Sequence, residues 1–178
     1  QIPSYNPQGY VFTYAGSGKK GFVDGSSDSA RFNGPEDVAV DENGVVFVAD
    51  TQNNAIRMVD HDGSVTTLAG RGPDHPGYRD GDCSIATFVL PKGLDARHEI
   101  IDGQNVVVVL VADTGNHRIR RIIKSMGRVS TIAGTSLQGH DDGIAQKSTF
   151  FYSSGVFVTA DNIAYVVDAA TCRVRRIT

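Results

Sequence analysis

The chain has 178 residues, 40% of them apolar and 21% charged, with 20 glycines, two cysteines and no tryptophan. That is enough apolar material for the core of one domain, and it excludes a disordered tail. The 17 basic and 20 acidic residues give a formal charge of −3, which weighs against a nucleic-acid binder; two cysteines are too few for a disulfide-rich miniature scaffold or a four-cysteine zinc site.

The start at Gln1, with no visible signal peptide, reads as a processed chain or as part of a longer one. The first strand-like run is Val11-Phe12-Thr13-Tyr14-Ala15, closed by Gly16. A Gly-rich connection follows, with Asp24-Gly25 and then Phe32, and leads to Pro35. Four short runs rich in Val, Ile, Thr and Phe come next, roughly Asp37–Asp41, Val45–Ala49, Ala55–Val59 and Val65–Ala69. Asn43-Gly44 and Asp62-Gly63 suit tight turns between them. The longest apolar run, Val106–Ala112, is far too short to span a bilayer as a helix.

The same landmarks then recur. Thr-x-Ala-Gly stands at Thr13, Thr67 and Thr131; Asp-Gly at Asp24, Asp80 and Asp142; a phenylalanine at Phe32, Phe88 and Phe150. Three residues after each phenylalanine stand Pro35, Pro91 and Ser153. An apolar strand then ends at Asp50, Asp113 or Asp168, and seven residues further on stand Arg57, Arg120 and Arg175. Gly16 to Gly70 is 54 residues and Gly70 to Gly134 is 64. The second copy carries seven extra residues around Glu99–Asn105, where a hairpin tip tolerates insertion. Four-stranded units repeated at fixed spacing are the mark of a β-propeller.

At these residues the chain resembles the NHL-repeat family. Asp113-Thr114-Gly115-Asn116-His117-Arg118-Ile119-Arg120 looks like the repeat's core, and Pro35–Asp41 with Gly44–Asp50 looks like its first two strands. The form with Ala-Gly, Asp-Gly and Phe resembles repeats of teneurin-like cell-surface proteins and of bacterial and plant NHL proteins. Asn54 and Cys172 stand where the family has histidine, Ala55 where it has arginine, and Ser153 where it has proline. The expected fold is all-β: three four-stranded blades within residues 1–178, at about 35–69, 91–133 and 153–177, with 11–15 as the outer strand of a permuted blade. Such a chain is half of a six-bladed ring or part of a larger assembly.

Residues present in every copy point to blade architecture rather than chemistry. The seven-residue spacing predicts hydrogen-bonded pairs Asp50/Arg57, Asp113/Arg120 and Asp168/Arg175 across one turn. Phe32, Phe88 and Phe150 are expected as plugs between blades, and Asp24, Asp80 and Asp142 as acceptors within their own Gly-rich turns. Gly16-Ser17-Gly18-Lys19-Lys20-Gly21 has the spacing of a phosphate loop but lacks the helix that such a loop requires. The five histidines have no metal-ligand spacing, although Asp74-His75 and His140-Asp141-Asp142 lie in equivalent loops. Arg118, Arg120, Arg121, Lys124 and Arg128 read as pairing and solvated edges, as do Arg173 and Arg176. Cys83 and Cys172 lie on connections of the same face, so a disulfide within or between chains and two free thiols both stand open.

No convergent catalytic set is present, and the expectation is a non-enzymatic interaction or assembly module without metal or cofactor. Its partners are protein: a second copy in a head-to-tail ring or filament, or the remaining blades of a larger chain. No nucleic acid or membrane insertion is expected. Val11–Ala15 is the fourth strand that the third copy lacks, so it should pair with Arg173-Val174-Arg175 of another chain. Two alternatives stay open: part of a propeller enzyme similar to amidating lyases or lactonases with a channel metal, and a structural subunit of an extracellular filament. An extracellular or secreted location follows from the repeat form.

Overall fold

The computed structural model describes residues 9–178; the first eight residues of the expected segment lie outside the described residues. Three antiparallel sheets follow one another along the chain. The first blade is β1 (Pro35–Val40), β2 (Val46–Asp50), β3 (Ala55–Val59) and β4 (Val65–Ala69), paired in that order. The second blade adds to its edge a two-residue strand, β5 (Gly81–Asp82), from the connection before it. Its main strands are β6 (Pro91–Ile101), β7 (Gln104–Asp113), β8 (Arg118–Ile123) and β9 (Arg128–Ala133). The third blade has only β10 (Ser153–Val158), β11 (Ala164–Asp168) and β12 (Arg173–Ile177).

Predicted and observed strands of the first blade agree to within two residues. In the second copy the seven extra residues lengthen β6 and β7 into a tall hairpin, turned at Asp102-Gly103 with positive φ at both. Second and third strands are joined by a single 3-10 turn: Thr51–Asn53, Thr114–Asn116 and Ala169–Thr171. Each turn ends in a left-handed residue, Asn54, His117 or Cys172, with φ of 52°, 56° and 56°. That shared conformation, more than any one side chain, is what the family's histidine position requires, and asparagine adopts it at low cost.

The blades stack face to face, so the strands of the middle blade are apolar on both sides instead of alternating. Phe47, Ala49 and Ile56 of the first blade pack on Phe88, Val109, Val111 and Ile122 of the second. Leu110, Ala112 and Ile119 of the second pack on Phe150, Val156 and Val166 of the third. Polar latches cross each junction. The Thr51 hydroxyl donates to the Pro91 carbonyl (2.7 Å), and the Thr114 hydroxyl donates to that of Ser153 (2.6 Å). The Leu94 N–H donates to Asp37 (2.8 Å) and the Val158 N–H to Asp95 (2.6 Å). A Cβ on Gly93 would lie 2.5 Å from the Gly155 Cα, so the inner strands approach at a distance only glycine permits.

Phe88 and Phe150 are buried plugs at these junctions. Phe32 is only partly buried, packed against Val48, Val59 and Val65 of the first blade, so within this chain it is not enclosed as Phe88 and Phe150 are. Within the single chain Val11–Ala15 pairs with no strand.

Candidate functional site

Each blade is organised by one arginine of its third strand. Arg57 donates to Asp50 Oδ2 (2.7 Å), to the carbonyls of Arg31 and Val23 (3.1 and 2.9 Å) and to Asp24. Arg120 repeats this set with Asp113 (2.6 Å), Thr87, Arg79 and Asp80 (2.7 Å). Arg175 repeats it with Asp168 (3.3 Å), Thr149, Asp141 and Asp142 (2.7 Å). Each guanidinium also lies about 5 Å from a ring: Phe32, Phe88 or Phe150. The structure thus brings together all three predicted aspartate–arginine pairs. The second carboxylate oxygen of each pair accepts a backbone N–H, from Asn33, Val89 or Phe151. Burial pushes Asp113 up to about 6, against the opposing pull of Arg120.

The aspartates of Asp-Gly do something other than cap their own turns, and that expectation is corrected. Asp24 accepts from Arg57 through Oδ1 and from the backbone N–H of Thr67 through Oδ2 (3.0 Å). Asp80 does the same with Arg120 and the Thr131 N–H (3.0 Å). The carboxylate is therefore a bridge from the third strand to the fourth. Its partners lie 33 to 51 residues away, beyond the reach of local turn rules.

In the third blade this bridge is half made. Asp142 holds Arg175, but among the described residues no fourth strand of this blade offers an N–H, and the Asp142 side chain is 90% exposed against 48% for Asp24 and 37% for Asp80. Beside it the outer edge of β12 is free. A groove of about 450 Å³ runs along that edge, lined by Asp142, Ala145, Phe150, Val174 and Arg176 among others. It occupies the place that β4 and β9 fill in the other two blades.

The segment predicted to fill such a place lies at the other end of the molecule. Tyr14 donates to the Asp60 carbonyl (2.9 Å) and the Gly16 N–H to that of Ser27 (2.6 Å), so Thr13–Gly16 is held against the first blade. Tyr10, Val11 and Phe12 project into solvent, 94%, 102% and 76% exposed. Val11, Phe12, Thr13, Tyr14 and Ala15 are thus far from Arg173, Val174 and Arg175 in sequence, and in one chain the structure does not bring them together as a sheet.

Of the two readings left open for the cysteines, the structure has the free thiols and no disulfide within the chain. Both cysteines are free: Cys83 packs beside the junction of the first two blades, and Cys172 is exposed at the turn before β12 in the third. Burial pushes the Cys83 thiol up, which disfavours the reactive thiolate. Most of the basic cluster is spent on contacts: Arg121 on Glu99, Arg128 on Asp82, and Arg118 stacked 3.7 Å over Tyr78. Among the described residues no group of three or more histidine, cysteine or acidic side chains is placed to hold a metal ion. Sequence reasoning missed Asp37 and Asp95 as latches between blades; an aspartate inside an inner strand, where it is disfavoured, was the available signal.

Comparison with known proteins agrees with this architecture. Residues 32–57 match the NHL repeat. The chain is 30% identical over 168 residues to Protein SUPPRESSOR OF QUENCHING 1, chloroplastic, of Arabidopsis thaliana, covering 90% of this chain and 15% of that protein. It is 34% identical over 136 residues to NHL repeat-containing protein 2 of Bos taurus, covering 71% of this chain and 17% of that one. The chain thus spans less than a fifth of the length of the curated relatives it matches. An auxiliary nutrient binding protein from Bacteroides thetaiotaomicron superposes with a TM-score of 0.70 at 19% identity, over 79% of this chain and 36% of that one.

Proposed function

The chain belongs to the NHL-repeat family of β-propellers, and on that premise we propose that it is a non-enzymatic interaction and assembly module whose last blade is completed by a strand from another chain. The observation that carries this reading is the half-made bridge at Asp142 beside the free edge of β12. An added strand supplies main-chain hydrogen bonds along the edge, which is the usual basis of strand addition. It also removes an open edge that would otherwise invite uncontrolled pairing.

The test is direct. The 178-residue chain should sediment as an assembly, and deletion of residues 1–15 should return a monomer that keeps the strands of its inner blades. A free peptide spanning residues 9–18 should compete with assembly of the intact chain. A compact monomer at all concentrations would overturn the proposal.

A further inference from the structure

The extra residues of the second copy do more than heighten a hairpin. In the first blade the chain has already turned at Asp41–Gly44, whereas β6 runs on to Ile101. Adjacent residues of this extension point to opposite neighbours, as alternation along a strand requires. Arg97 turns to the third blade, where its Nη1 donates to the Thr159 carbonyl in the matching turn (2.7 Å). His98 turns to the first blade and stands over the Asp41 turn, with its Nε2 3.9 Å from Asp41 Oδ2. One neighbour is thus met by a permanent cation and the other by an imidazole.

Asp41 is a buried carboxylate with half its capacity used. Oδ1 accepts the backbone N–H groups of Asn43 (2.9 Å) and Val45 (3.0 Å). Among the described residues nothing donates to Oδ2, and the side chain is 1% exposed. An ionised oxygen held out of water in this way calls for a positive partner. Among the described residues, His98 is the one basic side chain within 4 Å of it. The ring is oriented for that role. Its Nδ1 lies 3.2 Å from Asn105 Oδ1, an acceptor, which assigns the proton to Nδ1 and a lone pair to Nε2. The Asn43 amide stands 3.3 Å from the same Nε2. Turned about its terminal torsion, that amide offers oxygen in place of nitrogen.

We propose that Asp41 Oδ2 and His98 Nε2, with the Asn43 side-chain oxygen, form a site for one divalent transition cation of the zinc class at the first blade junction. The 3.9 Å separation is too long for a hydrogen bond, but a metal at about 2.0–2.2 Å from each atom spans it. An imidazole, a carboxylate and an amide oxygen suit zinc better than calcium, which takes six or more oxygens. Asn105 is the orienting partner that a metal-bound histidine needs on its other nitrogen. Asn43 and Asn105 are exposed, so the site opens to solvent, and water completes the coordination. With one histidine and one carboxylate the set is smaller than a closed structural zinc site, and binding is correspondingly weaker and reversible. The site belongs to this junction alone among the described ones: the matching turn of the third blade has Thr159 where Asp41 stands, and it already holds Arg97. Bound there, the cation ties the first blade to the tall hairpin of the second.

The test titrates the full chain with zinc chloride by isothermal calorimetry, in a buffer that does not bind the metal. One zinc ion per chain should bind. Asp41→Asn keeps an oxygen for the two turn N–H groups but removes the charge, and His98→Gln removes the imidazole. Each should weaken binding by roughly 100-fold or more, and Asn105→Ala, which frees the ring, by roughly tenfold. His140→Gln, in the loop before the third blade, should bind zinc as the unaltered chain does. Zinc should also raise the Tm of the unaltered chain, and EDTA should reverse the rise, because the donors are assembled only in the folded state. A cooperative melt of each variant in EDTA excludes unfolding as the cause of lost binding. A chain that takes up no zinc, uptake untouched by Asp41→Asn and His98→Gln, or uptake abolished by His140→Gln would overturn the site. Assembly is read separately, by sedimentation in EDTA, so failure of one reading leaves the other standing.

Discussion

The second and third blades are made from the same repeat, yet they differ in what surrounds them. The second has a neighbour on each face, four main strands, two of them long, and an edge strand from its own connection. The third has one neighbour, three strands and a bare face. Arg120 is fully buried with a 2.6 Å contact to Asp113, whereas Arg175 is 8% exposed with a 3.3 Å contact to Asp168. The clamp is therefore encoded in the repeat, and it is tight where a fourth strand covers it: Arg57, in a four-stranded blade with one stacked neighbour, is also fully buried with a 2.7 Å contact to Asp50. A blade is a local motif whose stability is borrowed from the stack, as in other quasi-one-dimensional repeat architectures.

Truncations sharpen that contrast most. Phe88→Ala, in the covered blade, should cost about 3–5 kcal/mol in a chemical melt, and Tyr165→Ala on the bare face of a monomeric variant should cost under about 1 kcal/mol. Equal losses would break the comparison. Arg120→Met should likewise cost about 3–5 kcal/mol, because it strands the buried Asp113; Arg175→Met should cost less, since Arg175 is itself partly exposed and its contact to the buried Asp168 is longer, at 3.3 Å. Phe32→Ala, on the half-covered side of the first blade, should fall between, at about 1–3 kcal/mol.

Titration gives a smaller and different signal. Asp113 is raised to about 6 from its ordinary 3.8. Between about pH 4 and pH 6 the folded chain then keeps a proton that the unfolded chain has released. Stability should decline as pH rises through that window and level off above it. Asp113→Asn should flatten this slope, read from urea midpoints at several pH values. Smallest of all, Arg128→Met should change stability by no more than about 0.5 kcal/mol, because Arg128 and its partner Asp82 are both more than half exposed.

The fold was legible in the sequence because its signals are local and repeated. The turn pairs Asn43-Gly44 and Asp62-Gly63, the short β-branched runs and the seven-residue Asp–Arg spacing all act within one hairpin. The bridging role of Asp24, Asp80 and Asp142 was not legible, because the N–H groups they accept lie 43 and 51 residues downstream in the two completed blades.

The order in which the clamp's parts occur along the chain bears on biosynthesis. A ribosome makes the carboxylate of Asp24 first, the guanidinium of Arg57 33 residues later, and the N–H of Thr67 43 residues after the carboxylate. Each blade is thus assembled around a waiting acid and locked by its last-made strand, so folding can follow synthesis from one blade to the next. Asp142 and Arg175 have completed the first two of these steps.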